Sequence, residues 1–516
     1  MRSAVGGRTA IAVIAVAVGV LSLLPLAYLF LAGFSATDIT QLFSYPTTVP
    51  DIWRTIGLTV SVAAACLVTG LVTALVVVRT TVPLRRVLTV LLAAPLAVPG
   101  FVSAYAAYSM NLVFAPRLNI VTSFGGATAV LALTLYPYVF LACVIAVRNA
   151  DPAQEEVARS LGSGRWSVFW RVTLPQLRIA ISGSLLIVAL HVLSEYGAMV
   201  QLGQRTLTTT IMAEMLDYGD YASARSISLL LAGLALLLLL GGRAVSGRTD
   251  QLSIGSQAVR PARRAQLAWA RGPVLIAALL IPLAAIGPTV FMTARGLASP
   301  HRATGQAWSQ VGSAAAVTLG YGVAAGLVAT VAALPVVWWV GRRPSPASHL
   351  TERSVWLAHS IPNAVLALAL VFLATRLVPG LYKTPMLLIV AYVIMFLPLA
   401  ISNQAVGLQA AFVRYEEAAA SLGQRAWQRL WRVSLPIALP GIATGALLVG
   451  LDASKELTTT LMLLPFNVQT LATGLWGTTG GESLDFTAAA PYALALLILG
   501  SAPVYLIARR TVRYVV

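Results

Sequence analysis

Long apolar runs separated by short polar segments make up most of the 516-residue chain. Twelve of these runs are about 20 residues long, the length that an α-helix needs to cross the hydrocarbon core of a bilayer. The predicted spans lie near residues 10–33, 56–78, 87–110, 127–147, 178–200, 225–242, 272–293, 312–340, 354–375, 386–406, 437–457 and 488–508. The pattern therefore predicts an all-α integral membrane protein with about twelve transmembrane helices.

The two halves of the chain carry the same polar loop. Residues 155–162 (EEVARSLG) recur as residues 416–423 (EEAAASLG), and a Leu-Pro pair follows each copy at the same offset of 261 residues. We therefore expect two tandem six-helix bundles: a first domain over 1–243, a cytoplasmic linker over 244–270 and a second domain over 271–516. Because six is an even number, both bundles should have the same orientation, related by a pseudo-two-fold axis along the membrane normal.

The charges are few and unevenly placed. Of the residues, 58% are hydrophobic and only 10% are charged, yet the net charge is +18. With the N-terminus inside, 26 of the 35 Lys and Arg residues fall in alternate, inward-facing segments. This bias predicts that both termini and both repeated loops are cytoplasmic. The positive charge then indicates topology and contact with anionic membrane lipid rather than binding of nucleic acid.

The beginning of the chain and its cysteines add little further chemistry. The first apolar run is longer than the core of a cleaved signal peptide, so we expect it to be retained as an anchor. Cys66 and Cys143 both lie inside apolar runs. Neither a disulfide framework nor a metal site is predicted from them.

The repeated loops, residues 151–175 and 412–436, predict a short helix each. In the first loop, Asp151 is the expected N-cap, Gln154 completes a capping box and Gly162 ends the helix. The second loop has Arg414 and Tyr415 where the first has its Asp-Pro start. One such loop is typical of an ordinary interfacial segment, but two copies at one offset favour a shared contact with a soluble partner.

The loop pattern resembles the signature loop of permease subunits in binding-protein-dependent ABC importers. That signature is Glu-Ala-Ala, three residues, Gly, nine residues, Ile, one residue and Leu-Pro; here Val157 stands for an Ala, and Val172 and Val433 stand for Ile. The resemblance implies the type I importer permease fold in a bacterial cytoplasmic membrane, with each loop a coupling helix seated in one subunit of an ATPase dimer. The coupling residues that it implies are Glu155, Glu156, Ala158, Gly162, Glu416, Glu417, Ala419 and Gly423.

The sequence offers no site for ATP. A phosphate-binding loop needs Gly-Lys followed by Ser or Thr, whereas the only lysines, Lys383 and Lys455, follow Tyr and Ser. We therefore expect no enzymatic activity and no cofactor in this chain, and we expect a separate ATPase to supply the energy. An extracytoplasmic binding protein is expected on the other side, docked on loops that include the acidic stretches 214–220 and 482–485.

Ionisable residues also occur at matching positions within the apolar runs. Glu195 aligns with Glu456, and each has an ionisable residue four positions earlier, on the same helix face. A charge at bilayer depth costs about 2.5–3.5 kcal/mol, so these groups should face the protein interior. We interpret them as lining the translocation path; the alternative is internal ion pairing, of Asp452 with Lys455 or of Glu195 with Arg205. The predicted path residues are His191, Glu195, Tyr196, Asp452, Lys455 and Glu456.

The segment 455–473 bears on the cargo. It resembles a Lys-Glu-Leu-Pro-Ala-Thr … Arg-Pro-Phe … Thr-Leu-Ala-Thr segment of fused permeases of the ferric-iron importer family, with Thr458-Thr459 for Pro-Ala and Leu464 for Arg. Ferric iron is the cargo that this resemblance implies, and thiamine, polyamine and phosphonate are alternatives. No cluster of Tyr, His and carboxylate has metal-ligand spacing, so a separate protein would capture the iron.

Two other classes of protein share some of these features. An ion-coupled secondary transporter with twelve spans would also show a parallel repeat and buried carboxylates. The repeated loop signature disfavours it, and an ATPase dimer that co-purifies with the chain would exclude it. A membrane scaffold without transport activity gives no reason for paired carboxylates inside the bilayer.

Overall fold

The computed structural model describes residues 2–31, 43, 46–246, 264–299, 305–424, 426–479 and 486–515. Within these residues the chain is helical, and the one β-bridge is an isolated contact between Thr80 and Ala265. Nine of the described helices are long and apolar enough to cross a bilayer, or up to eleven if each of two bent pairs counts as one span. The predicted all-α membrane fold is confirmed. The expected linker falls mostly on residues 247–263, outside the described part.

The described part of the first half of the chain contains eleven α-helices. They are α1 (Arg2–Leu31), α2 (Thr48–Arg79), α3 (Arg85–Ala93), α4 (Gly100–Phe114), α5 (Phe124–Asn149), α6 (Pro152–Ser160), α7 (Arg165–Val168), α8 (Leu174–Ser194), α9 (Gly197–Gln201), α10 (Leu207–Leu216) and α11 (Tyr221–Ser246). A short 3₁₀ segment, Ala94–Ala97, extends α3, and a π-helical turn, Phe169–Thr173, joins α7 to α8.

The second half contains ten α-helices within its described residues. They are α12 (Arg271–Leu297), α13 (Gly305–Arg342), α14 (Pro346–His359), α15 (Asn363–Leu377), α16 (Pro385–Ser421), α17 (Ala426–Arg429), α18 (Leu435–Lys455), α19 (Thr458–Leu463), α20 (Leu471–Thr479) and α21 (Phe486–Val515). The π-helical turn recurs as Leu430–Ser434. Helices α7 and α8 and the π turn between them thus recur 261 residues later with the same lengths.

Two of the twelve predicted spans bend sharply, and a third, predicted over 178–200, is interrupted at Glu195 and Tyr196. The span predicted over 87–110 bends by 93° between Ala97 and Gly100, and the span predicted over 354–375 bends by 103° between His359 and Asn363. Pro99 and Pro362 are the N-caps of the helices that follow the bends. Proline has no N–H to continue a helix, and it pushes the residue before it towards extended backbone; Val98 has φ −97° and ψ 121° accordingly.

The chain forms two compact units, and neither is a consecutive half. Unit 1 contains Met1–Leu42, Ile211–Ala232 and Thr304–Gly477; unit 2 contains Phe43–Thr210, Gly233–Ala303 and Thr478–Val516. In unit 1, helix α1 packs against α13, α14 and α15. In unit 2, α12 and α21 pack against each other and against α3. Each unit therefore contains helices from both halves of the sequence. The division of the sequence into domains 1–243 and 271–516 stays a prediction about the repeat.

Apolar surface faces outward as well as inward. Along α2, Leu58, Val62 and Cys66 are buried, whereas Val60 and Val68 are exposed. In water such exposure would be costly, but lipid tails are as apolar as these side chains. The helix is therefore apolar on both faces, as a span in contact with both protein and lipid should be.

Small residues let the central helices of unit 1 approach closely. A Cβ atom built on Gly326 would lie 2.5 Å from the carbonyl oxygen of Ala446, and one on Gly322 would lie 2.7 Å from that of Gly450. Helices α13 and α18 therefore touch through their backbones. Close approach of this kind gives membrane helices the van der Waals contact that a hydrophobic driving force supplies in water.

Candidate functional site: two repeated loops and two carboxylates at the helix bends

The first repeated loop begins with a capped helix. The Asp151 carboxylate accepts a hydrogen bond from the backbone N–H of Ala153 at 2.9 Å, and Pro152 occupies the first helical position. The expected capping box with Gln154 is wrong, because the N–H of Asp151 donates to the side chain of Gln176 instead. Gln176 lies in the first turn of α8, so the start of α6 is held against the next long helix.

The two helices that carry the repeated motif end in the same way, although the short helix predicted for the second loop is the end of a long one. Gly162 and Gly423 have φ of +84° and +80°, values that an L-residue with a Cβ rarely adopts. Beyond them, the N–H of Ser163 donates to the carbonyl of Ala158, and the N–H of Gln424 donates to that of Ala419. These are paired Schellman ends, which satisfy carbonyl groups that the helix leaves open. The glycine in each copy is thus required by the backbone.

Glu155 is buried under the first loop rather than presented by it. Arg79, the last residue of α2, donates to both of its carboxylate oxygens at 3.0 and 3.2 Å. The hydroxyl of Thr173 donates to the same carboxylate at 2.9 Å, and Arg159 lies 3.7 Å from it. Glu155 therefore ties α6 to α2 and to the π turn, whereas the neighbouring Glu156 is exposed.

The second loop continues a long helix. Helix α16 runs without a break over 37 residues, Pro385–Ser421, so it carries the second motif on its own end. The first half differs because α5 stops at Asn149 and α6 starts afresh at Pro152. The side chains of Glu416 and Glu417 lie outside the described residues; Ala419 is buried.

Apolar side chains project from both loops. Leu161 is 80% exposed, and its counterpart Leu422 is 81% exposed. Trp166, Trp170 and Trp431 are also exposed. Exposed apolar and aromatic residues next to a rigid turn are typical of a surface that a partner covers. Leu161 and Leu422 were not among the predicted coupling residues, although their place just before each repeated glycine could have indicated them.

Glu195 and Glu456 each interrupt a helix at the same point of the repeat. Both have extended backbone, with φ/ψ of −76°/121° and −74°/125°, directly after α8 and α18. Glu195 accepts a hydrogen bond from the N–H of Ala198 at 3.0 Å. A Cβ atom on Gly100 would lie 2.9 Å from its other oxygen. The carboxylate therefore lies against the first residue of α4, the helix that follows the bend.

Glu456 makes the corresponding contact in unit 1. Asn363, the first residue of α15, donates to one carboxylate oxygen at 3.2 Å, and the N–H and hydroxyl of Thr460 donate to the other at 3.1 and 3.2 Å. Tyr392 holds the same hydroxyl at 2.6 Å. Only 7% of Glu456 is exposed, at the edge of a narrow crevice lined also by Thr318 and Tyr321. Each bent pair thus has a carboxylate at the helix that follows the bend, which the sequence analysis missed.

The other predicted path residues have partners close by. His191 is exposed and lies 3.1 Å from the hydroxyl of Tyr138 through Nε2. Asp452 and Lys455 are 3.5 Å apart, the internal pair considered as the alternative to path lining. Arg205 lies 3.0 Å from Asp51, rather than pairing with Glu195 as that alternative supposed. Tyr196 is half-buried at the N-cap of α9.

Of the two acidic stretches predicted to meet the binding protein, one lies within the described residues. Residues 214–220 form the end of α10 and the turn into α11, whereas 482–485 lie outside the described residues. Among the described residues, no three His, Cys, Asp or Glu side chains come together as metal ligands would.

The chain matches one family model twice. The model described as "Binding-protein-dependent transport system inner membrane component" covers residues 67–251 and 327–516. Each match contains one repeated loop and one of the carboxylates Glu195 and Glu456.

The chain is also similar to curated transport proteins. It is 28% identical over 421 residues to the Fe(3+)-transport system permease protein FbpB 2 of Haemophilus influenzae, covering 80% of each chain. It is 34% identical over 213 residues to the molybdenum transport system permease protein ModB of Mycobacterium tuberculosis, covering 38% of this chain and 80% of that protein. The sulfate transport system permease protein CysW of Escherichia coli is 27% identical over 224 residues, covering 40% of this chain and 77% of that protein.

Proposed function

This chain belongs to the family of binding-protein-dependent transport system inner membrane components, and we propose that it forms the translocation path of an ABC importer that carries ferric iron. A binding protein delivers the solute from outside, and a separate ATPase dimer drives the transport from the cytoplasm. Both chain termini and both repeated loops lie on the ATPase side. The chain itself binds no nucleotide.

The duplicated loop carries this proposal. Two helix ends with the same positive-φ glycine, the same closing hydrogen bonds and the same exposed leucine are what two equivalent ATPase subunits would grip. Glu155 connects the first loop to the end of α2, so a push on α6 reaches a long span directly. Movement of two such levers can convert closure of the ATPase dimer into rocking of the helices.

The choice of ferric iron rests on coverage. The ferric-iron permease is similar along four fifths of both chains, whereas the molybdenum and sulfate permeases match about two fifths of this one. An oxyanion such as sulfate or molybdate is therefore the second candidate cargo, and thiamine, polyamine and phosphonate follow. The iron would travel without a dedicated high-affinity site in the membrane.

Reconstitution tests both parts of the proposal. The chain, purified with its ATPase and binding protein, is placed in vesicles, and uptake of labelled ferric iron is measured with and without ATP and against each alternative cargo. We expect ATP-dependent uptake of iron, and we expect that sulfate and molybdate do not inhibit this uptake. Uptake driven by an ion gradient without ATP would refute the importer mechanism, and selective uptake of another solute would refute only the cargo.

The loops are tested in the same vesicles. In a Gly162→Trp/Gly423→Trp double variant, we expect ATP turnover to be uncoupled from transport, because a bulky side chain at each positive-φ turn displaces the loop from its partner. Gly203→Trp is the matched control, since Gly203 also has a positive φ of +63° and its nearest neighbour, Thr122, is 3.8 Å from the position of a Cβ atom, but it lies outside both loops and both acidic stretches. Normal transport by the double variant would contradict the proposed coupling role.

A further inference from the structure

The end of helix α2 is closed by a segment far along the chain. The last four carbonyl groups of an α-helix have no partner within it, and Arg79 is the last residue of α2. The backbone N–H of Ala265 donates to the carbonyl of Arg79 at 2.7 Å, and the N–H of Thr81 donates to the carbonyl of Ala265 at 3.1 Å. These two bonds make the isolated β-bridge of the described chain, within unit 2.

Side chains add to this contact. The Thr81 hydroxyl accepts a hydrogen bond from the N–H of Leu267 at 3.3 Å and donates to the carbonyl of Ala265 at 3.4 Å. Leu267 is half-buried and packs against the hydrophobic core of unit 2. Residues 265–267, which we call the docking segment, are thus held by backbone, hydroxyl and apolar contacts.

The backbone is strained on both sides of the contact. Leu84, at the N-cap of α3, has a φ of +52°, and Ala268, directly after the docking segment, has a φ of +43°. Such left-handed values are unfavourable for residues with a Cβ, and they persist only where surrounding contacts hold them. The bridge at Ala265 is a contact of this kind, and it holds the turn between α2 and α3 in one conformation.

Arg79 is therefore bound on two sides. Its carbonyl accepts from Ala265, and its guanidinium donates to both carboxylate oxygens of Glu155 in α6. Because α5 ends at Asn149 and α6 starts afresh at Pro152, no continuous helix carries the first loop. A push on α6 reaches α2 through Glu155 and Arg79, and α2 receives it only if the backbone at Arg79 resists.

The second half closes the corresponding helix end locally. Helix α13 ends at Arg342, 263 residues after Arg79. Directly beyond it, the Ser348 hydroxyl donates to the carbonyl of Arg343 from the capping box at the start of α14. The second loop is also the end of a continuous helix, α16, so force on it passes along that helix. A remote support is therefore expected to matter for the first loop and not for the second.

We propose that the docking segment, at the end of the connection between the two halves, positions the first repeated loop by holding the end of α2. Ala265 and Thr81 are positioning residues, which act through Arg79 and Glu155 and need no contact with cargo or ATPase. The consequence for transport rests on the coupling role proposed above for the loop. The positioning itself does not, so the two are tested separately.

Hydrogen–deuterium exchange of the full-length protein in nanodiscs tests the positioning. Thr81→Val removes the hydroxyl with little change in shape, and Ala265→Pro removes the N–H that donates to Arg79. Loss of one hydrogen bond shifts the balance between the held and the released turn by about fivefold. We therefore expect the backbone N–H groups of α6 to exchange about fivefold faster in each variant, and those of the second loop to exchange at the native rate.

Matched controls change neighbouring atoms. Thr80→Val removes a hydroxyl that donates within α2, to Val76. Gln266→Pro removes an N–H that makes no hydrogen bond among the described residues, and Thr81→Ser keeps the hydroxyl. All three should exchange like the native protein. The positioning role is overturned if Thr81→Val or Ala265→Pro leaves α6 unchanged, if either speeds the second loop equally, or if a control has the same effect.

Uptake in vesicles that contain the ATPase and the binding protein tests the consequence. We expect Thr81→Val and Ala265→Pro to raise the ATP hydrolysed per cargo ion about fivefold, and Thr81→Ser to keep the native ratio. If the native protein shows no ATP-dependent uptake, the proposed function fails, and the exchange result still decides the positioning. If exchange in α6 rises while the ratio stays native, the docking segment does not serve coupling, and that part of the proposal is overturned.

Discussion

Glu155 acts on the first loop through Arg79, which lies 76 residues earlier in the chain. The pair is largely buried, with side-chain exposures of 16% for Arg79 and 8% for Glu155. The sequence could place Glu155 in a signature loop, but only the packing of α6 on the end of α2 decides that it points inward. Its neighbour Glu156 carries the same charge and faces outward, so the two acidic residues have different tasks.

Removing one member of this pair should be costly. We expect Glu155→Gln to lower the free energy of unfolding by about 3 kcal/mol, because it leaves a buried guanidinium without its counter-ion. Arg79→Met/Glu155→Gln should lose less than the two single changes together. Chemical or thermal unfolding in detergent of the native protein, the two single variants and the double variant gives this double-mutant cycle. Glu156→Gln is the exposed control and should change stability by less than about 0.5 kcal/mol; a similar loss in both Gln variants would show that the buried pair does not hold the loop.

Glu195 and Glu456 can be tested for a role in transport apart from their role in packing. Glu456→Gln keeps the shape of the side chain, and Asn363 can turn its amide oxygen towards the new NH₂ group, so we expect a loss of stability of about 1 kcal/mol or less. If both carboxylates line the path, Glu195→Gln/Glu456→Gln should nevertheless lower the maximal uptake rate. Asn363→Ala, which removes the packing contact and leaves the charge, is the control. Unchanged uptake kinetics in the double variant would exclude the predicted path role.

Most helices could be predicted from the apolar runs, because the length of a membrane span is set by the bilayer. The two sharp bends could not, although Pro99 and Pro362 lie at them. Proline inside a membrane helix is often tolerated as a kink, and Pro137 and Pro398 do lie inside continuous helices. Whether a proline breaks its helix depends on what satisfies the backbone beyond it. Here the carboxylates of Glu195 and Glu456 lie at the first residues of the new helices. Each of these glutamates is more than 90 positions further along the chain than the helix start that it contacts.

The start of α11 offers a prediction that depends on pH. Hydrogen bonds from the Ser223 hydroxyl and from backbone N–H groups hold the pKa of Asp220 below its ordinary value. A lowered pKa means that Asp220 stabilises the folded protein above the unfolded pKa of about 3.9, and that this contribution is lost as the pH falls through the lower, folded value. At neutral pH we expect Asp220→Ala to cost about 1 kcal/mol, with the difference from the native protein shrinking in acid.

The control for this prediction is Asp220→Asn. Its amide oxygen can still accept from the backbone N–H groups, so it should keep most of the stability but show no change in its contribution with pH. Unfolding midpoints measured at a series of pH values compare the three proteins. If the difference in unfolding midpoint between the native protein and Asp220→Ala stayed constant down to the most acidic pH, the carboxylate charge would contribute nothing to the cap.

At the scale of the whole molecule, the repeat in sequence and the compact units are different divisions. The repeat could be predicted from the loops at an offset of 261, and the family model matches both halves. Contacts alone reveal that α1 packs with helices of the second half, while α12 and α21 pack with helices of the first. Periodicity cannot indicate such an exchange, because an apolar helix face suits any apolar neighbour equally well.

This exchange predicts how the chain behaves when it is divided. If the two halves are expressed as separate chains, with the break inside residues 247–263, neither half alone contains a complete compact unit. We expect each half alone to be degraded or to aggregate, and the two expressed together to co-purify and restore uptake, because the linker mainly raises the effective concentration of one half for the other. Pull-down of an affinity-tagged first half, followed by the uptake assay, measures both outcomes.

The matched comparison is a break at residues 343–345, between α13 and α14. This break divides the continuous segment Thr304–Gly477 of unit 1, so we expect that expressing its two fragments together does not restore uptake. Stable accumulation of either half by itself would mean that α1, α12 and α21 are dispensable to the units that they join.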